Sequence, residues 1–161
     1  MNSTKLIGKI FAPRQREIDL YGTKAEEIQA RVFRKLIQSA SATEWGKKYD
    51  FSQIRNYTDF QRVPIQTYED VKSYVDRMRH GEKDVLWPGK VIWYAKSSGT
   101  TNDKSKFIPV SPEGLKGIHY RGGTDAVALY LRENPESRFF SGKGLILGGS
   151  HSPNYNVKDS L

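Results

Sequence analysis

The hydrophobic pattern of this sequence changes at one place, the tripeptide Trp87-Pro88-Gly89. Before it, apolar residues recur every three or four positions, which is the spacing of one face of an α-helix. After it, short runs of β-branched and aromatic residues alternate with polar loops and one further helical stretch. The order of elements therefore predicts an α/β fold, mainly helical over residues 1–85, with a β–loop–β–α–β arrangement over residues 86–161.

The first predicted helix runs from about Lys24 to Ser41 and follows a capping box that begins at Thr23. Its charged residues occupy one face, and its apolar positions follow one another at steps of four: Ile28, Val32, Leu36 and Ala40. This spacing is typical of an amphipathic helix that buries one side.

The second predicted helix starts near Thr67, where Asp70 occupies the reciprocal position of a capping box. Gly81 is well placed to end it, because glycine readily adopts the left-handed conformation found after helices. Between the two helices lies an aromatic-rich connector, for which we predict one short helix near Thr58.

Three strands and one helix are predicted after the change of pattern. The strands are 91–95, 106–110 and 144–148, and the first of them has the composition of a buried strand. Ser111-Pro112-Glu113 combines an N-cap, a proline at the first helical position and an acidic first turn. We expect the helix that it begins to end near Arg132.

The segment from Lys96 to Ser105 has the chemistry that phosphate recognition requires. Four hydroxyl side chains surround Gly99, which lets the backbone approach an anion closely, and lysines follow at positions 104 and 106. The loop is not a Walker A motif, since G-x-x-x-x-G-K-[ST] is absent. The alternative is an ordinary polar hairpin loop, but ten residues exceed the roughly two to five that hairpins usually need.

The amino-acid composition narrows the classes of function that remain for this chain. The chain lacks cysteine, which excludes disulfides, thiolate metal sites and thiol catalysis, and its three scattered histidines predict no metal site. The net charge of +8 permits a nucleic-acid-binding domain, but basic and acidic residues are mixed and the aromatics lie mostly on predicted core stripes, so we expect no nucleic-acid partner. No apolar run approaches a membrane span or a secretory leader, and we expect a cytoplasmic protein with no membrane association.

The predicted helix after the loop carries two unusual residues on its apolar face. The face comprises Leu115, Ile118, Gly122, Asp125 and Leu129. A glycine there permits close packing or leaves space for a ligand, and a carboxylate among apolar neighbours needs a partner. His119, beside this face, is more simply interpreted as structural, whereas His151 follows the third predicted strand and is a further candidate for the same cleft.

The segment K-S-S-G-T-T-N-D-K-S-K-F-I-P-V, residues 96–110, resembles the nucleotide-binding signature of the Gretchen Hagen (auxin-responsive promoter) family of acyl acid amido synthetases. These enzymes belong to the acyl-adenylate-forming superfamily, together with the firefly luciferases. Further matching segments extend the resemblance over nearly the whole chain: Thr43-Glu44-Trp45-Gly46, Val63-Pro64-Ile65, Tyr68-Glu69-Asp70, Gly81-Glu82, Leu86-Trp87-Pro88 and His119-Tyr120.

The resemblance implies a two-step reaction that uses ATP and Mg²⁺. A carboxylic acid attacks the α-phosphate and forms an acyl-adenylate, and an amino acid amine then takes the acyl group. By motif position the residues that hold the nucleotide are Ser97, Ser98, Gly99, Thr100, Thr101 and Lys106. Asp103 stands where many plant members have a second glycine, and an acidic side chain there suits a phosphate site only if it points away or helps to hold Mg²⁺.

The resemblance also implies that the helix after the loop lines the acyl pocket, with Ile118, Gly122 and Asp125 facing the acid. A carboxylate at position 125 would repel an acidic substrate unless a basic group intervenes. The family's adenine- and ribose-contacting motifs and its mobile C-terminal domain are absent from these residues. We therefore expect the N-terminal part of one larger luciferase-like domain, monomeric, with the remainder of its own chain as a partner and no ligation by itself. The alternative is a truncated, catalytically silent homologue that binds a nucleotide or a partner.

Overall fold

The computed structural model describes residues 3–97 and 105–145, apart from the side chain of Ser3. These residues are mostly helical and include one small antiparallel sheet. The elements are α1 (Ser3–Thr23), α2 (Ala25–Ala40), α3 (Glu44–Lys48), a 3₁₀ turn (Phe51–Gln53), α4 (Tyr57–Phe60), α5 (Tyr68–Arg79), β1 (Trp93–Lys96), β2 (Phe107–Val110), α6 (Pro112–Gly114), a π-helical turn (Leu115–Tyr120), α7 (Arg121–Glu133) and a second 3₁₀ turn (Phe139–Ser141).

The chain forms two compact units. One comprises residues 26–115 and contains α2 to α6 with the sheet. The other comprises residues 1–25 and 116–161, and its described elements are α1, the greater part of the π-helical turn, α7 and the second 3₁₀ turn.

Two apolar clusters form the core of the 26–115 unit. The first is built on Ile37, Ala40 and Phe51, and the aromatic rings of Phe33, Trp45 and Phe60 pack around it. The second brings together Met78, Val85 and Val91, each exposed by no more than 2%. The second predicted helix therefore buries the side chains of Val75 and Met78 in this core.

Helix α5 begins and ends at the predicted residues. Thr67 precedes it, and the carboxylate of Asp70 accepts hydrogen bonds from the Thr67 N–H at 2.7 Å and from its hydroxyl at 2.6 Å. These bonds hold the pKa of Asp70 below its ordinary value, since they favour the charged carboxylate. At the other end Gly81 has a φ of 95°, a left-handed conformation that glycine adopts without strain.

The predicted capping box at Thr23 is wrong. Thr23 is the last residue of α1, and its hydroxyl donates to the carbonyl of Leu20. No individual helix was predicted for residues 3–23, and α1 contains Pro13, which lacks an N–H for the helical ladder. Packing of α1 against α7 stabilises the helix instead, and it carries the chain to α2 at Ala25, close to the predicted start at Lys24.

Helix α3 was also missed in the aromatic connector, where only α4 near Thr58 was predicted. Its N-cap Thr43 accepts the N–H of Gly46 at 3.0 Å. The N–H groups of Glu44 and Trp45 donate to carbonyls of the loop after α5, those of Asp84 and Val85. The first N–H groups of this short helix bind acceptors that are distant in the sequence. The spacing of apolar residues within the segment therefore gives no indication of the helix.

The two predicted strands form a hairpin. Trp93 of β1 pairs with Val110 of β2, and Lys96 pairs with Phe107. The composition of the first strand predicted that it is buried. In the structure, however, Trp93 is 53% exposed, and Ile92, just before β1, is 67% exposed. In the described part of the chain, three of the four residues of β1 are exposed and Tyr94 alone is half-buried.

The helix predicted from Pro112 to Arg132 is helical throughout but not uniform. Ser111 caps it as expected, and its hydroxyl accepts the N–H of Gly114 at 3.0 Å. The π-helical turn Leu115–Tyr120 then widens the backbone before α7 begins. Because a wider turn alters the angle between successive side chains, residues on either side no longer share the face that regular α-periodicity predicts. Of the third predicted strand, residues 144–148, the structure describes only Gly144 and Leu145, and neither of these two residues belongs to a β-strand.

Candidate functional site

The β1–β2 hairpin closes the base of the predicted phosphate loop. The Ser97 N–H donates to the carbonyl of Lys106 at 2.9 Å. The Lys106 N–H donates back to the Ser97 hydroxyl oxygen, also at 2.9 Å. Ser97 therefore uses its side chain to hold the two ends of the loop together. Among the described residues its hydroxyl hydrogen has no acceptor, so it is the donor that Ser97 offers to a ligand.

Most of the predicted nucleotide-binding residues lie outside the described residues. These are Ser98, Gly99, Thr100 and Thr101, together with Asp103. Their assignment stays a prediction, whereas Ser97 and Lys106 are placed at the two ends of the loop.

The side chain of Lys106 lies over an aromatic ring. Its Nζ is 5.6 Å from the centroid of the Tyr68 ring, within the range of a cation–π interaction. No carboxylate of residues 3–97 or 105–145 forms an ion pair with it. Within the described part of the chain, Lys106 therefore keeps an unneutralised positive charge at the end of the loop.

Tyr68, the first residue of α5, also binds the backbone of β2. Its hydroxyl accepts a hydrogen bond from the Phe107 N–H at 3.0 Å. In the sequence, Tyr68 stands out only as part of the tripeptide Tyr68-Glu69-Asp70 that resembles the family, and no role follows from that match. No local signal could have found this contact, because 39 positions separate the two residues.

A second cation lies beside the same strand. The guanidinium carbon of Arg79 is 3.7 Å from the centroid of the Phe107 ring, and the group also pairs with Asp76 at 3.2 Å. Nearby, burial raises the pKa of the Tyr94 hydroxyl above its ordinary value, while the charge of Arg79 opposes this rise. The α5 side of the hairpin is thus fastened by the two end residues of one helix, Tyr68 and Arg79.

The predicted acyl-pocket residue Asp125 is held by an arginine from α1. Arg14 donates to its two carboxylate oxygens from Nε and Nη2, each at 2.6 Å. These bonds lower the pKa of Asp125 below its ordinary value and raise that of Arg14. Arg14 donates further to Glu17 and to the Tyr21 hydroxyl. The basic group that the sequence required beside Asp125 is therefore present.

The other two acyl-pocket candidates are open to their surroundings. Ile118 is 76% exposed. A Cβ placed on Gly122 would meet no described atom within 4 Å, so close packing does not explain this glycine. Ile118, Gly122 and Asp125 belong to one compact unit, and Ser97 and Lys106 belong to the other.

Two further properties concern metals and membranes. Within the two described ranges, no three side chains of His, Asp or Glu come together as they would around a metal ion. Among the helices described, none combines the length and the apolar character that crossing a membrane requires.

Comparison with known proteins agrees with the resemblance carried by the loop. The family model described as the GH3 family N-terminal domain matches residues 14–157. In Arabidopsis thaliana, similar proteins are an indole-3-acetic acid-amido synthetase, 30% identical over 95 residues (58% of this chain and 16% of the relative), and a putative one, 32% identical over 102 residues (62% and 17%). A jasmonoyl–L-amino acid synthetase of Nicotiana attenuata is 28% identical over 99 residues (60% and 17%).

The chain thus spans about one sixth of the length of these relatives. The family model, in contrast, covers nearly all of this chain and includes the hairpin, its loop and the helix that follows. On that coverage, the chain belongs to the GH3 family, whose N-terminal domain model it matches.

Proposed function

We propose that this chain is the N-terminal part of an ATP-dependent acyl acid amido synthetase, within a luciferase-like acyl-adenylate-forming domain. The relatives that it matches are named for joining an acid to an amino acid. In such a reaction ATP supplies the adenylyl group that activates the carboxylic acid. The part proposed for this chain is to bind the phosphates of the nucleotide with the loop from Ser97 to Lys106.

One observation carries this proposal: the two ends of the loop are joined by reciprocal hydrogen bonds, and one of them bears a lysine without a carboxylate partner in the described chain. A closed base limits the conformations that the loop can take before it binds, and this lowers the entropic cost of binding. An unpaired ammonium suits an anion, whereas a salt-bridged one would have to exchange partners.

The proposed site uses Mg²⁺ together with the nucleotide. The described residues form no carboxylate cage for the ion. Mg²⁺ commonly binds through substrate phosphates, one or two carboxylates and water, and so needs no such cage. Asp103 is the loop residue that could contribute a carboxylate oxygen, and it lies outside the described residues.

For the acid substrate, we propose the surface that contains Ile118 and Gly122. The open space beside Gly122 leaves room for an acyl group, and the exposed Ile118 side chain supplies apolar contact. The ion pair of Asp125 with Arg14 compensates the carboxylate charge that would otherwise repel an acid.

Isothermal titration calorimetry tests the nucleotide site. ATP with Mg²⁺ is titrated into the 161-residue chain and into its Ser98→Ala and Thr100→Ala variants, with Thr58→Ala as a hydroxyl deletion outside the loop. Loss of one hydrogen bond to a charged phosphate is worth about 1.5–3 kcal/mol, so we expect each loop variant to bind roughly tenfold more weakly or worse. Equal affinities for the loop variants and Thr58→Ala would refute the assignment.

A pyrophosphate-release assay then separates binding from chemistry. The chain is incubated with ATP, Mg²⁺ and a panel of carboxylic acids. We expect binding without turnover, because the resemblance assigns the adenine and ribose contacts to residues that this sequence does not contain. Sustained pyrophosphate release would show instead that these 161 residues suffice for adenylation.

A further inference from the structure

We propose that Tyr68 is a positioning residue for the phosphate loop: its ring holds the Lys106 ammonium at the end of the loop, and its hydroxyl fixes the strand that carries Lys106. This inference rests on the proposed nucleotide site. It assigns a role to a residue of α5, which lies 38 positions before Lys106 in the sequence.

Two contacts made by the one side chain support it. The Tyr68 hydroxyl accepts the Phe107 N–H at 3.0 Å, and the Tyr68 ring centroid lies 5.6 Å from the Lys106 ammonium. Phe107 follows Lys106 directly, so the two contacts restrain the backbone and the side chain at the same point of the chain. Two hydrogen bonds also join the backbone of Lys106 to Ser97, and they restrain this end of the loop further.

The position of Tyr68 is itself well defined. The capping bonds between Thr67 and Asp70 fix the first turn of α5, where Tyr68 lies. The same bonds engage the Asp70 carboxylate, and Glu69 pairs with Lys72 at 3.9 Å. The two carboxylates nearest to Tyr68 in sequence are therefore occupied elsewhere, and the ring of Tyr68 is what faces the lysine.

An aromatic ring differs from a carboxylate as a holder of a lysine. A carboxylate would neutralise the ammonium and compete with phosphate for it. The ring attracts the cation through its quadrupole and leaves the full positive charge in place. Tyr68 can thus orient Lys106 toward the loop at little cost in its attraction for an anion, which is the property that a preorganised phosphate site needs.

A double-mutant cycle with a spectroscopic readout tests this role. ATP affinity with Mg²⁺ is measured for the 161-residue chain, Tyr68→Leu, Lys106→Met and the double variant. Tyr68→Phe keeps the ring and removes the hydroxyl. Tyr57→Leu is the control, because Tyr57 is 69% exposed on α4 and its side chain makes no hydrogen bond or ring contact with the described residues. Nuclear magnetic resonance follows the ε-methylene protons of Lys106 and the hydrogen exchange of the Phe107 amide.

We expect Tyr68→Leu to weaken ATP binding about two- to fivefold, the range of an exposed cation–π interaction, and to have no further effect when Lys106 is already Met. Tyr68→Phe should retain the affinity and accelerate exchange of the Phe107 amide. The ring current should shift the Lys106 ε-methylene resonance upfield in the wild type and in Tyr68→Phe, and the shift should vanish in Tyr68→Leu.

Equal losses of affinity in the wild-type and Lys106→Met backgrounds would overturn the inference, because Tyr68 would then act through the fold alone. An unshifted Lys106 resonance in the wild type would overturn it as well. Failure of the proposed function looks different: Lys106→Met and Ser98→Ala would both leave ATP affinity unchanged. Tyr68 would then have no role in nucleotide binding, while the shift of the Lys106 ε-methylene resonance would still report the contact between Tyr68 and Lys106.

Discussion

Removal of the Asp125 carboxylate is expected to destabilise the unit formed by α1 and α7. Arg14 and Asp125 are 111 positions apart, and their paired hydrogen bonds join the two helices. In Asp125→Asn the negative charge is lost while the shape of the side chain is kept. The variant therefore measures the ion pair with little change in packing.

The expected magnitude follows from burial and from the remaining partners. The side chains of Arg14 and Asp125 are 14% and 22% exposed, which is between a surface pair worth at most about 1 kcal/mol and a buried pair that costs about 3–5 kcal/mol to break. Arg14 keeps Glu17 and Tyr21 as partners in the variant. We therefore expect Asp125→Asn to cost about 2 kcal/mol.

The reverse deletion should cost more. In Arg14→Met, Asp125 loses both of the hydrogen bonds that the structure gives its carboxylate, and only the charge of Arg121 still favours the ionised form. A half-buried carboxylate without a donor is costly, so we expect about 3 kcal/mol. The expected asymmetry arises because Arg14 keeps Glu17 and Tyr21 as partners.

Native-state hydrogen exchange at the amides of α7 measures these losses, because it reports the opening of this unit by itself. Asp19→Asn is the matched control: it removes the exposed partner of Arg132, with 62% of the Asp19 side chain exposed, and should cost less than about 1 kcal/mol.

The pKa of Asp125 lies below its ordinary 3.8, so the unfolded state takes up the proton first as the pH falls. The stabilisation is complete above pH 3.8 and is lost at lower pH, where wild type and Asp125→Asn should converge. Equal small losses for Asp125→Asn and Asp19→Asn would refute the reasoning.

Two further predictions concern the 26–115 unit, and the second uses a control in helix α1 of the other unit. Thr67→Ala removes the hydroxyl that donates to Asp70, and we expect it to lower the free energy of urea unfolding by about 1 kcal/mol. Because the pKa of Asp70 is lowered, the difference in stability between wild type and variant should shrink as the pH falls below the ordinary pKa of 3.8. A difference that does not change with pH would contradict this prediction. Gly46→Ala would place a Cβ 2.0 Å from the Ala40 carbonyl oxygen and should cost about 3 kcal/mol or more, whereas Gly22→Ala, with no described atom within 4 Å of its Cβ, should stabilise α1 by about 0.5 kcal/mol. Thermal unfolding of both glycine variants checks this, and equal effects would show that space at position 46 is not limiting.

Features with a local cause were predictable. The start of α5 at Thr67 depends on a partner three positions away, and the start of α6 at Ser111 depends on Gly114. The hairpin follows from two β-rich runs that flank one polar loop. Each of these rests on residues whose preferred backbone conformations agree, so the sequence pattern alone indicates them.

Features with a distant cause were not predictable. Helix α1 contains a proline and forms because α7 packs against it, and α3 begins where carbonyls after α5 accept its N–H groups. Burial of the first strand was mispredicted, because apolar composition does not tell whether a covering layer exists.

The candidate site divides in the same way. The order of residues determined that a hydroxyl-rich loop with a lysine at its end lies between two strands, because loop chemistry and strand propensity are written in neighbouring positions. The tertiary structure alone decided that Tyr68 faces Lys106 and that Arg14 neutralises Asp125. Charges and rings that are tens of residues apart meet only when helices pack, and no periodicity within one segment specifies which of them will meet.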